Sequence, residues 1–466
     1  MPHGSSRNGG LHSCYVGIRK SRPTSLGVLA RKAFLSFWSF QNPFTDESGG
    51  RELCDLLVVF GNDVIIFSDK HCNFSDAHAV EVSWPRWFKS AIEKSAKQLA
   101  GAKSFVEQHP NRIYLDSACE RPLPIPLPSR ENLRLHLVAV TRGVVPAGEK
   151  YWSNGSSGSL IINTQLHAEE HKTHPFMVGW PLKKRLFIHV FDELTLDVLL
   201  GELDTAPDLI EYLRQKEDYL CKSGVDFIIC GEEDLLATYL LNPNSDALTS
   251  FAFPAVPDDK KQVILEEGSW SRFRASDGYA KLKQIIAKSY LWDELIEHQT
   301  SHIQNSTAQV LKRFGNSSND VHAHEEVLRA MAQEGRFGRM MLSENLKDVL
   351  TRSFVEDRFS RTIVLPSRPG RAYVLMVLRR DPSVSEEDYR ELRCASLAGY
   401  CLAARLRVSG IHEVVGIATE QLDFQQATQD FMLLQWSGPV SEEEKQAELA
   451  ALRQHGIWKD HWTCVC

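Results

Sequence analysis

No stretch of the 466-residue sequence approaches the roughly 18 consecutive apolar residues of a membrane-spanning helix, so no such helix is expected. The opening Met1 to Gly10 is polar and glycine-rich and lacks a cationic segment followed by an apolar one. It therefore does not read as a secretory signal, and a cytoplasmic location is expected. Ten cysteines are present without the spacing of a small disulfide scaffold, in a chain long enough to bury a core without covalent staples, so reduced thiols are expected. Cys464 and Cys466 have no second pair to complete a soft-metal site. Acidic residues are missing from residues 1 to 44, which hold Arg7, Arg19, Lys20, Arg22, Arg31 and Lys32. The net charge of -7 nonetheless argues against a protein that coats nucleic acid without discrimination, because such binding rests on neutralising phosphates.

What is present alternates between strand and helix patterns, which makes the class α/β. Residues 1–22 read as a flexible basic arm, 23–241 as one α/β domain, 242–262 as a linker rich in Asn, Asp and Pro, and 263–466 as a second, helix-rich α/β domain. Leu56 to Phe60 and Val64 to Phe67 are two apolar, Val- and Ile-rich runs around Gly61-Asn62-Asp63, the chemistry of a hairpin in which Asp63 is a turn residue. In an antiparallel pair Asp55 and the Ser68-Asp69-Lys70 end share one rim. Alternation sends Ser68 and Lys70 to one face and Asp69 to the other unless the strand end bulges. Thr24 to Trp38 reads as a capped amphipathic helix before this hairpin, with Phe34, Phe37, Trp38 and Phe40 in the core. Ser90 to Glu107 reads as a helix after it, on which Lys94, Lys97 and Gln98 form one polar cluster. Packing of the helix start accounts for Trp84 and Trp87.

An acidic residue opening one strand, an acidic-x-Lys pattern closing the next, and a helix carrying Gln98-Leu99 together resemble the PD-(D/E)xK nuclease superfamily, the restriction-endonuclease-like fold. The Gln-Leu pair is similar to the helix motif of its RecB-like and Cas4-like branches. The resemblance spans roughly residues 24 to 140. It implies a mixed sheet with flanking helices and metal-dependent hydrolysis of nucleic acid, DNA before RNA, in restriction, repair or defence against mobile DNA. It also implies Mg²⁺ or Mn²⁺ held by Asp55 and Asp69, with Glu52 as a further carboxylate, Lys70 positioning water or stabilising charge, and Gln98 orienting it. Counting from Asp55, the family's second carboxylate falls on Ser68. A catalytically inactive nuclease-like binding or assembly module is therefore the alternative.

Other motifs carry less. Tyr151 to Ser159 is glycine- and serine-rich but precedes a strand, whereas a phosphate cradle needs a helix there. His167-Ala-Glu-Glu170-His171 matches H-x-x-E-H, yet Pro175 leaves room for only about one helical turn, so it reads as a surface loop. Leu133 to Val140 and Arg112 to Leu115 should extend the central sheet. In the C-terminal half, Arg371 to Leu378, Ser385 to Val408 and Glu413 to Ala418 read as a β-α-β unit, and Ser441 to His455 as a capped solvated helix. This half shows no chemical constellation and is expected to bind a protein partner or regulate the first.

Overall fold

The computed structural model describes residues 25–153, 156–244, 250–305, 307, 321–352, 357–421 and 428–458. The basic arm and the terminal cysteines lie outside these residues. Gly61, at φ +61°, closes the tight turn between strands Leu56–Phe60 and Asp63–His71. All five residues of the first strand and the first six of the second are buried, so the hairpin forms the middle of its sheet. Ser39–Gln41 pairs antiparallel on one side, while Arg134–Arg142 and then His189–Phe191 add parallel on the other. Helices cover both faces. Ser68 meets Ser95 and Gln98, which places helix Lys94–Gln108 on one face, and Phe34 of helix Ser25–Phe34 meets Phe67 edge-on at 6.1 Å on the other.

Trp84 and Trp87 are buried in helix Val80–Phe88, and their indoles donate to backbone carbonyls of His171 and Cys72. Both rings are thus committed to packing. One expected strand goes elsewhere than expected. Ile113–Tyr114 leaves the central sheet and pairs with Phe44–Thr45 in a small sheet that also holds Arg51–Glu52. Asp226–Ile229 joins Ile161–His167, Met177–Trp180 and Gln262–Leu265 in a separate four-stranded sheet.

Gln262–Leu265 runs parallel to Asp226–Ile229, and Phe251 and Phe253 pack against the core, so the end of the expected linker is a packed connection. Turn hydrogen bonds run from Asn242 N–H to the Tyr239 carbonyl and from Lys260 N–H to the Pro257 carbonyl, and the aromatics between them hold the segment down.

The expected β-α-β unit is present. Arg371–Leu378 and Glu413–Thr419 pair parallel across helix Glu386–Arg407, flanked antiparallel by Arg358–Val364 and Gln429–Gln435. Tyr389, Leu397, Cys401 and Ala404 of the helix cover one face through Ala372, Val374 and Met376. On the other face Tyr373, Leu375 and Val377 join Trp292 and Leu342 in an apolar core continuous with that of the N-terminal sheet. The chain is mixed α/β with one core running through both halves. Helix Glu442–Gln454 opens with a Ser441/Glu444 capping box, as its sequence predicts. Among the described residues no helix is long and apolar enough to cross a membrane.

Candidate functional site

The hairpin's open end gathers most of the residues singled out from sequence. Leu56 pairs with Phe67, so the next position outward sets Asp55 opposite Ser68 on the face covered by helix Lys94–Gln108. The Asp55 backbone N–H donates to the Phe67 carbonyl at 3.1 Å, and Asp55 Oδ2 accepts the Asp69 N–H at 2.8 Å, which fixes the carboxylate across the rim. Lys70 lies one strand period beyond Ser68 on the same face, beside Thr141 of the parallel neighbour. Buried Ser68 Oγ sits 3.2 Å from Ser95 Oγ and 3.3 Å from Gln98 Oε1, so its single O–H serves one of them at a time. Glu52, exposed at the end of its short strand, feels both charges. Partial desolvation and the Asp55 carboxylate push its carboxyl upward, while Lys70 pulls it down. Asp55, Lys70 and Gln98 therefore share one rim, and Glu52 lies on the neighbouring small sheet within reach of the charges of Asp55 and Lys70.

Asp69 does not join them. Its carboxylate faces the opposite side of the sheet and receives a fork of hydrogen bonds from Arg142, Nε to Oδ1 at 3.0 Å and Nη2 to Oδ2 at 2.9 Å. The strand end keeps its alternation without a bulge, so the expected second metal ligand is committed to a buried ion pair. Lys97 of the expected polar cluster pairs with Glu93. Comparisons with protein-family models, curated proteins and solved structures find no match.

The H-x-x-E-H segment folds as a short 3₁₀ turn, Ala168–Thr173. It is not a free surface loop, because His171 is fully buried and stacks on Phe88 at 4.6 Å. Both its ring nitrogens are used: Nδ1 contacts the Ala168 carbonyl at 2.8 Å, and Nε2 accepts the Gly179 N–H at 2.9 Å. Glu170 accepts the His167 N–H. These groups hold the turn together, and His171 has no lone pair left for zinc.

The serine-rich loop after Tyr151 docks on buried acids. Ser157 Oγ donates to Glu233 Oε1 at 2.6 Å, and Asp192 accepts N–H bonds from Leu160 and Thr195. Burial raises Glu233 to about 7 and Asp192 to about 6. Each acid keeps its proton in the fold at a pH where the unfolded chain has lost it. Their stability contribution is therefore full below the ordinary carboxylate range and lost as pH rises to about 6 for Asp192 and about 7 for Glu233. Glu233→Gln should raise stability at pH 8 by on the order of 3 kcal/mol and leave it unchanged at pH 4. Urea unfolding at both pH values checks this, and an equal gain at both would refute the titration argument.

One constellation was not visible in the sequence. His136, His189 and Glu217 each present a ligand atom within 4.8 Å of the others, between the central sheet and helix Ala206–Leu220. The two histidines sit in apolar strands and the glutamate is distant in sequence, so no local spacing announces them. Asp63, expected in the turn, begins its strand instead and meets His136 Nε2 at 3.1 Å.

Proposed function

We propose that the N-terminal half is a divalent-cation-dependent phosphodiesterase acting on nucleic acid, DNA first, in the cytoplasm. The observation that carries this reading is the shared rim, where Asp55, Lys70 and Gln98 lie on one face of the sheet with Glu52 in electrostatic contact with both charges. The order helix, strand, hairpin, helix, parallel strand supports the resemblance to the PD-(D/E)xK fold.

Asp55 and Glu52 fit Mg²⁺ or Mn²⁺. They are hard oxygen donors, the charge of the first raises the proton affinity of the second, and such ions keep several waters and need few protein ligands. When bound, the cation supplies Lewis-acid polarisation of the phosphoryl group. Asp55 is pre-set for its part by the Asp69 N–H. Lys70 offers an ammonium to the negative charge that builds on the phosphoryl oxygens, and Gln98, steadied near Ser68, orients the attacking water. By the same resemblance the setting is restriction, repair or defence against mobile DNA, with the C-terminal half engaging a protein partner.

Ser68 and the Arg142-bound Asp69 favour a second reading, a nuclease-like module retained for binding or assembly. Incubation of the full chain with circular and linear duplex DNA, single-stranded DNA and RNA, with Mg²⁺, Mn²⁺ or chelator, separates the two. The catalytic reading expects metal-dependent cleavage that falls at least about 100-fold in both Asp55→Ala and Lys70→Ala. Intact substrates in every lane, with nucleic-acid binding unchanged in Lys70→Ala, would establish the second.

A further inference from the structure

We infer that His136, His189 and Glu217 form a binding site for a first-row divalent transition metal, zinc being the best fit, separate from the Asp55 rim. His136 lies on strand Arg134–Arg142 opposite Ile65, on the sheet face that carries Asp63 and Asp69. His189, on the neighbouring parallel strand, pairs with Val138 and shares that face. Glu217 comes down from helix Ala206–Leu220, whose neighbouring Lys216 lies over the Phe191 ring at 4.9 Å. Ser68 pairs with Ala139, three residues further along the strand than His136 and on the other face. The two sites are thus separated by about 10 Å along the sheet as well as by its thickness.

Unmet hydrogen-bonding capacity points to a ligand here. His189 is 1% exposed, yet neither ring nitrogen has a partner, and Nδ1 of the nearly buried His136 is likewise unpartnered. Buried imidazoles ordinarily find partners, and a group left without one costs free energy. A metal ion would accept a lone pair from each. His136 is also oriented as ligating histidines usually are: Nε2 meets the Asp63 carboxylate at 3.1 Å, which makes Nε2–H the donor and leaves the lone pair on Nδ1. Two imidazoles and one carboxylate match a three-ligand zinc site with one open position, and imidazole disfavours Mg²⁺ and Ca²⁺.

Ligand atoms of a tetrahedral zinc site stand about 3.4 Å apart, so loading draws the present 4.8 Å cluster inward. Glu217, half-buried on a long side chain, can supply that closure. The nearby Lys216 ammonium does not oppose the ion unchecked, because it is buried in an ion pair with Glu232, which also accepts the Tyr212 hydroxyl.

The test is zinc stoichiometry of the full chain after Zn²⁺ loading and gel filtration, with affinity from competition against a chromophoric chelator and geometry from the visible spectrum of the Co²⁺ form. Wild type should hold one zinc per chain and show intense tetrahedral Co²⁺ bands. His189→Ala and Glu217→Gln should lose that equivalent, and Asp63→Asn should weaken binding about 10- to 100-fold. Asp55→Ala should retain its zinc, which separates this site from the catalytic reading whatever the outcome there. Glu217 lies at the edge of the core, so its variant remains testable if His189→Ala does not fold. A wild type that holds no zinc, or stoichiometry and affinity unchanged in Glu217→Gln, would overturn the assignment.

Discussion

Replacing Ser68 by aspartate should convert the hairpin rim into a tighter Mg²⁺ site and raise metal-dependent cleavage at least about 10-fold above wild type. Ser68 stands opposite Asp55, two residues before Lys70, and it is the one position on that face where a second carboxylate would be in register with the first. Without metal the change should be unfavourable. Ser68 is fully buried, and a carboxylate beside Asp55 loses hydration with Lys70, Gln98 and the Ser95 hydroxyl to compensate in part, a cost on the order of 1–3 kcal/mol. With Mg²⁺ at about 100 times its dissociation constant, binding returns about 2.7 kcal/mol, so the variant's unfolding midpoint should depend on Mg²⁺ more steeply than that of wild type. Ser68→Ala is the control. It removes only the contact to Ser95 or Gln98, about 1 kcal/mol, and should add no metal response. A Ser68→Asp protein that folds but shows no added Mg²⁺ dependence would mean that Asp55 and position 68 do not converge on a cation, and the nuclease-like reading of the rim would fall with it.

The rim was legible because its determinants are local. Two apolar runs around Gly61 give a hairpin, antiparallel pairing brings Asp55 to the Ser68–Lys70 end, and helical spacing brings Gln98 over it. The C-terminal β-α-β unit was legible for the same reason, since a capped 22-residue helix between two apolar strands admits few arrangements. Asp69 was not legible as a structural residue. Alternation already turned it away from Lys70, but what holds it there is Arg142, 73 residues on, which no spacing rule reaches. Asp63 looked like turn chemistry because Gly61 and Asn62 precede it, and its partner His136 is equally distant. Asn and Pro mark turns at the end of the expected linker whether or not the aromatics between them pack. Phe251 and Phe253 decide that, and their partners lie in other elements.

The same long-range logic makes Arg336 the residue whose loss should cost the fold most. Its guanidinium is buried, with Nε on Asp204, Nη1 on Asp293 at 2.6 Å and Ser289 at 3.1 Å, and Nη2 on the Asp204 carbonyl at 2.7 Å. Arg339 takes the other oxygen of Asp293, and the Tyr290 hydroxyl donates to Asp204 at 2.7 Å. Asp204 follows helix Glu193–Glu202 of the N-terminal half, whereas Asp293 and Arg336 sit on helices Tyr290–Gln304 and Arg336–Arg352 of the C-terminal half, so one side chain ties the two together. Arg336→Met fills similar volume but takes the guanidinium away from buried Asp204, while Asp293 keeps Arg339, and a loss of about 3 kcal/mol is expected in urea unfolding. Arg336→Lys keeps the charge but cannot span Asp204 and Asp293 with a planar fork, so it should recover only part of that loss. Pairing Arg336→Met with Asp204→Asn should recover more than additivity allows, since the second change removes the charge that Arg336 balanced. A loss below about 1 kcal/mol for Arg336→Met would mean that this network is peripheral to stability.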